Sequence, residues 1–215
     1  TFPILLAIIL NTCVLRRFTK VLQTITYVPH FISTVVMVGI INLMFSPSLG
    51  LFSHILNGLG LLDGPLTVLL SAKAFNDLYV WSGVWQGMGW GSIIYLAALA
   101  GVDPALHEAA IIDGANKFQR VRYIDIPWIM PTMVILLILS CGNLMNVGFE
   151  KVFLMQNALN LDASEIISTY VYKMGIMNAQ YSFSAAVGLF NSVINMILLF
   201  SVNAISKKLG ETGLM

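Results

Sequence analysis

Four stretches of this chain, residues 25–45, 78–100, 128–149 and 181–206, contain no Asp, Glu, Lys or Arg. Each exceeds the roughly 20 apolar residues that carry a helix across a hydrocarbon core. A backbone crosses lipid only with its polar groups satisfied internally, as a helix or a closed barrel. Barrel strands run to about 10 residues with alternating polarity, whereas these stretches are apolar on all sides. The expectation is an all-α, polytopic transmembrane helical bundle. Composition agrees: 58% of the 215 residues are hydrophobic and 10% charged, against roughly 45–50% and 25% in a soluble domain. A formal net charge of +1 gives no footing for a nucleic-acid partner, which needs a basic surface.

A fifth apolar run, residues 1–15, is short for a crossing and lacks the basic flank and cleavage site of a signal peptide. It reads as the tail of a longer helix that starts before Thr1. Counting it gives about five crossings in one transmembrane domain, residues 1–215. Arg16, Arg17, Lys20, Lys117, Arg120, Arg122, Lys207 and Lys208 then share one side, and only Lys73, Lys151 and Lys173 lie on the other. Acidic residues divide evenly, so the bias lies in Lys and Arg alone, as the positive-inside rule requires. The basic side is assigned to the cytoplasm, with the C-terminus. Residues 46–77 and 150–180 become extracytoplasmic loops. In the first, Leu51, Phe52, Ile55, Leu56 and Leu59 recur as one helix face, with Gly58, Gly60, Gly64 and Pro65 as turn material. Cys13 and Cys141, inside apolar runs, read as small buried hydrophobes rather than a disulfide.

The cytoplasmic loop, residues 101–127, is longer than a turn needs and reads as structured. Asp103 followed by Pro104 is a helix start. Residues 105–112 favour helix, and Asp113-Gly114 is a stop, since glycine takes the left-handed conformation that closes a helix. A second short helix over 116–124 follows, and Pro127 opens the next span. Ile111, Ile112, Phe118 and Ile124 are more apolar than solvent favours. They form either a docking surface or packing beneath the protein's own helix ends.

The spacing in this loop is a motif. Glu108-Ala109-Ala110, three residues, Gly114, nine residues, then Ile124-Asp125-Ile126-Pro127 resembles the EAA loop of ABC importer permeases, with Ile126 where leucine is usual. The longer string EAAIIDGANKFQRVRYIDIPWIMP is similar to the carbohydrate-uptake branch, as are YVPHFIS, GVWQGMGWGSIIYLAALAGVDP and GFEKVFLM. These resemble oligosaccharide and polysaccharide-type sugar permeases, whose six or so crossings imply that roughly the first lies outside this chain. The resemblance implies a coupling helix docked in a cleft of a separate ATP-binding subunit, whose closure swings the membrane helices between inward-open and outward-open states. Glu108, Ala109, Ala110, Asp113, Gly114, Ala115, Gln119, Arg120 and Pro127 are the coupling residues it implies. The implied partners are a second, heterodimeric permease subunit, an ATPase dimer, an extracytoplasmic sugar-binding protein and membrane lipid, in a bacterial cytoplasmic membrane. ATP and magnesium belong to the ATPase, and no cofactor or metal is expected on this chain.

Catalytic signatures are missing. No phosphate loop of the form G-x-x-x-x-G-K-[ST] occurs. His107-Glu108 opens like a zinc H-E-x-x-H, but Ile111 stands where the second imidazole is needed. The expectation is a transport subunit rather than an enzyme.

Neutral sugars require hydrogen-bonding groups and aromatic faces rather than charges. Gln86, Asn143, Asn146, Asn191 and Asn195, with Trp81, Trp85 and Trp90, supply them within the apolar runs. Resemblance to the maltose-type permease subunit points to Gln86, Gly87, Trp90, Asn143 and Asn146 as the substrate pathway. Helix–helix contact is the competing use of the same groups: Asn and Gln bond between membrane helices, and Gly87, Gly89 and Gly91 permit close approach, Gly87 and Gly91 with the spacing of a small-xxx-small contact. Glu150 and Lys151 are either a rim for a binding protein or ordinary interfacial charges. A stand-alone secondary transporter or channel is the alternative, but it calls for carboxylates in mid-membrane or broken helices. A membrane scaffold would leave the polar residues of the spans without a task.

Overall fold

The computed structural model describes residues 1–13, 15–47, 50–61 and 68–208, so Gly64 and Pro65 lie outside it. Among the described residues every regular element is helical. The chain runs α1 (Phe2–Thr12), α2 (Arg16–Tyr27), α3 (Thr34–Met44), α4 (Leu51–Gly58), α5 (Ala72–Leu99), α6 (Pro104–Ile112), α7 (Lys117–Arg120), α8 (Ile126–Cys141), α9 (Phe149–Met155), α10 (Leu161–Ser164), α11 (Ile167–Tyr172) and α12 (Tyr181–Lys208).

Two compact units emerge. One contains Thr1–Phe31, Val84–Met145 and Ser192 onward, the other Ile32–Gly83 and Asn146–Asn191. In the first, Ala7, Tyr95, Leu99 and Ile129 form the buried core. Trp128 Nε1 donates to the Ala98 carbonyl at 3.0 Å, tying α8 to the end of α5. In the second, Val38, Phe75, Val152 and Met155 form the core. There Asn160 donates to the Met155 carbonyl at 3.1 Å, and its Oδ1 accepts from the Asn157 amide at 2.9 Å and Ser164 Oγ at 3.0 Å.

The spans depart from the charge-free runs in instructive ways. Two helices are each long and apolar enough to cross a membrane, Lys117–Cys141 and Tyr181–Lys208, or up to four if two broken pairs each count as one span. The 25- and 28-residue helices reach about 37 and 42 Å at 1.5 Å per residue. The 11 residues of α1 reach about 16 Å, short of the roughly 30 Å core.

The run 25–45 is not one helix. Val28–Phe31 tightens into a 3-10 turn, because Pro29 has no N–H to give to the ladder. Ser33 then caps a new helix, accepting from the Val36 amide at 3.3 Å. The run 128–149 is displaced: its helix begins at Lys117 and ends at Cys141. The second loop helix therefore continues through Pro127 into the span, instead of stopping at Ile124. A backbone ladder is indifferent to side-chain charge, so Lys117, Arg120, Arg122 and Asp125 lie on the same continuous helix. Pro127 is accommodated by a π turn over Val121–Asp125, where the Ile126 amide bonds the Val121 carbonyl. Widening the helix there separates the proline ring from the preceding turn. Residues 150–180 carry most of α9 together with α10 and α11.

Candidate functional site

The loop between α5 and α8 is built by local rules. Asp103 caps α6 by accepting from the Ala105 amide at 2.9 Å, with Pro104 in the first turn. At the other end Gly114 has φ +78°. Its amide bonds the Ile111 carbonyl at 3.0 Å, and the Ala115 amide bonds the Ala110 carbonyl at 2.8 Å. That pair is a Schellman closure, which the left-handed glycine makes possible. Asn116 and Gln119 then form a reciprocal capping box: the Gln119 amide donates to Asn116 Oδ1 at 2.9 Å, and the Asn116 amide to Gln119 Oε1 at 2.8 Å. Gln119 is thus held within the loop by that box.

The apolar side chains point outward. Ile112 is 85% exposed and Phe118 72%, and Ile111 and Leu106 are also exposed, while Ile124 is half-buried. Packing beneath the protein's own helix ends is therefore not their role, Ile124 excepted. Glu108, Ala109, Asp113 and Gly114 are exposed beside them, and Ala110, Ala115 and Arg120 are half-buried. Pro127 is exposed on the helix behind the π turn. A helix end that presents isoleucine, phenylalanine, small residues and the carboxylates of Glu108 and Asp113 is an exposed apolar patch of the kind that marks interaction surfaces.

The substrate-pathway residues are more dispersed. Gln86 and Gly87 are half-buried on α5, and nothing lies within 4 Å of a Cβ built at Gly87. Trp90 stacks on His30, with ring centroids 4.5 Å apart and planes 3° apart, and meets Phe31 edge-on at 5.9 Å. One face of its indole is thereby covered. Asn143 is exposed beyond α8 and donates to the Leu139 carbonyl at 3.4 Å, and Asn146 is exposed in the other unit. Asn195 is buried and accepts from the Met145 amide at 3.2 Å, which makes it helix glue. Of the three glycines expected to permit close approach, Gly89 bears it: a Cβ there would lie 2.0 Å from the Thr26 carbonyl oxygen, whereas one at Gly91 would meet only the Pro3 ring at 3.1 Å.

Lys151 is not a rim charge. It is 9% exposed, donates to the Tyr79 carbonyl at 2.9 Å and lies 4.8 Å over the Tyr79 ring. Burial strips water from the ammonium and lowers its pKa from the ordinary 10.5. Between the lowered value and about 10.5 the unfolded chain binds more protons than the folded one, so stability rises with pH across that window. Thermal unfolding of detergent-solubilised protein is expected to show this rise, and Lys151→Met to flatten it. An unchanged slope in the variant would remove Lys151 as its source.

A pair that sequence reasoning missed lies under α6. His107 Nε2 is 3.2 Å from Asp125 Oδ1, and Asp125 is 2% exposed. No spacing rule joins residues 107 and 125. The one available signal was an aspartate just ahead of a proline at the mouth of a span.

An all-α fold with two long apolar helices, and an EAA-patterned loop leading into one of them, is that of a helical membrane protein with the loop pattern of ABC importer permeases. The sequence agrees over residues 3–211 with the model of the binding-protein-dependent transport system inner membrane component, and the chain belongs to that family. It is 42% identical over 212 residues to protein LplB of Bacillus subtilis (strain 168), covering 99% of this chain and 66% of that one. It is 40% identical over 212 residues to the polygalacturonan/rhamnogalacturonan transport system permease protein YteP of the same organism, covering 99% and 65%. The chain thus spans just under two thirds of the length of these relatives. It also superposes, with TM-score 0.95 and 36% identity over 99% of its length and 73% of the other chain, on a chain of a bacterial alginate ABC transporter in complex with an alginate pentasaccharide-bound periplasmic protein.

Proposed function

We propose that this chain is a membrane-spanning permease subunit of an ATP-driven importer that moves an oligosaccharide or related sugar across a bacterial cytoplasmic membrane by alternating access. The observation that carries the reading is the loop after α5. Its apolar residues face outward from a capped helix, and a continuous helix leads from it into a span. A pull on such a loop has a rigid path into the membrane. The names of YteP and of the alginate transporter support a saccharide cargo. ATP and magnesium are assigned to a separate ATPase dimer, docked on Glu108, Ala109, Ala110, Asp113, Gly114 and Ala115. Partners of this reading are a second permease subunit and an extracytoplasmic sugar-binding protein, with the loop and C-terminus cytoplasmic. Gln86, Gly87, Trp90, Asn143 and Asn146 are proposed to line the cargo's path, Trp90 through the indole face that His30 leaves open.

The test is a crosslink. With Cys13 and Cys141 replaced by alanine, Ala115→Cys in membranes holding the cognate ATPase is expected to give an ATPase-linked band whose yield changes with ATP. No band, with the ATPase present and the loop reachable by a cytoplasmic thiol reagent, would overturn the reading and favour a transporter working alone.

A further inference from the structure

α6 has no buried residue, so apolar packing does not anchor it. Its caps join it to the chain before and after, but they do not fix it against the helix it must move. His107 does reach a buried group from α6. Its Nε2 stands 3.2 Å from Asp125 Oδ1, a buried oxygen that no other described group serves.

Asp125 is the last residue of the π turn. One added residue per turn rotates the register of a helix locally, which is why such turns re-aim side chains at working sites. Here the aspartate is turned inward, to 2% exposure, on an otherwise lipid-suited helix. The two residues border one cavity of about 570 Å³, which Asn11, Glu108, Lys117 and Arg120 also line. Arg120 Nε is buried and has no hydrogen-bond partner among the described residues. Leu99, Val102, Pro104 and Val121 line it as well, so the contact borders a cavity of mixed polar and apolar lining rather than a close-packed core. A core contact would be explained by packing alone; a buried carboxylate facing one imidazole across such a space is not.

We propose that His107 and Asp125 form the latch that fixes α6 to the helix Lys117–Cys141, so that displacement of the docked loop is transmitted to the span. They are positioning residues, and the proposal rests on the coupling reading given above. A loop free to swivel about Gly101 and Gly114 would absorb the displacement locally. A loop pinned at His107 passes it to α8.

The experiment uses the full-length permease in the complete importer, reconstituted in proteoliposomes, with ATP as the only ligand added. An environment-sensitive fluorophore on Leu137→Cys, exposed on α8, reports span movement. The Ala115→Cys crosslink to the ATPase, made in a separate sample, reports docking. In the parent both signals are expected to respond to ATP. In His107→Leu and Asp125→Leu the crosslink response should remain within about twofold of the parent, while the Leu137 response falls at least fivefold. The variants His107→Gln and Asp125→Asn, which keep a polar contact, should retain at least half of it. An unchanged Leu137 response in the leucine variants overturns the latch. So does an equal fall in the conservative and leucine variants, which would make the site a packing element. Should the leucine variants fail to assemble, the exchange His107→Asp with Asp125→His decides: a retained response supports the latch and a lost one overturns it. A parent crosslink that ignores ATP defeats the coupling reading itself, and the latch falls with it.

Discussion

Replacing Gly89 with valine is expected to leave little folded permease in the membrane. A Cβ at this position would lie 2.0 Å from the carbonyl oxygen of Thr26, 2.5 Å from its carbonyl carbon and 3.1 Å from the Tyr27 amide nitrogen. All three are backbone atoms of α2, so no rotamer change relieves the clash. The helices must separate, which uncovers the buried faces they share. Overpacking a core costs about 1–3 kcal/mol where side chains can yield. Against backbone we expect about 3 kcal/mol or more, a large part of the roughly 5–15 kcal/mol that holds a domain together. Size-exclusion profiles and thermal unfolding in detergent measure the loss. Gly39→Ala is the control: its added carbon meets nothing within 4 Å, and it removes a helix-weakening glycine from α3. Equal behaviour of the two variants would show that the close approach of α2 and α5 is not a constraint on folding.

The second large effect is expected at Gly114, and it falls on coupling rather than folding. No atom lies within 4 Å of a Cβ built there, so a larger side chain has room. The obstacle is φ +78°, where a left-handed residue costs about 1–2 kcal/mol and a β-branched one is an outlier. Valine is expected to undo the two Schellman bonds and let the end of α6 fray. The two cores hold no residue of this loop, so the protein still folds. In the reconstituted importer Gly114→Val should lower sugar uptake at least tenfold while ATP hydrolysis persists. Gly114→Asn, which tolerates the left-handed region, should retain most of the uptake. Equal loss in both variants would point to a contact of the glycine itself with the partner, rather than to its backbone geometry.

How far these features were legible can be judged position by position. Asp103, Pro104, Gly114 and Asn116 each act through neighbours no more than about five residues away, the reach of helix caps and closures. Their roles in ending and starting helices were therefore readable from order alone, and the caps formed as the local chemistry requires. The break in the run 25–45 was readable too, since Pro29 and Ser33 mark it, but counting charge-free residues passes over both. The end of the helix at Cys141 was obscured in the same way, because glycine and asparagine carry no charge. Lys151 shows the opposite failure. A lysine at a span's outer end looks interfacial until Tyr79, 72 positions earlier, supplies the carbonyl and the ring that hold it inside.

The sequence by itself determined that the chain is a helical membrane protein, where the loop's two helices start and where the first of them stops, and, through the EAA spacing, which family it belongs to. All of these rest on short-range chemistry: the hydrophobicity of about 20 consecutive residues, the capping of free helix-end amides by nearby side-chain oxygens, and the left-handed freedom of glycine. Only the tertiary structure decided which of Gly87, Gly89 and Gly91 bears the helix crossing, that Ile112 and Phe118 face outward, and that Asp125 is turned in to meet His107. Those facts depend on which distant segment lies opposite each residue, and on a π turn that shifts the helix register. Hydrophobic periodicity carries neither.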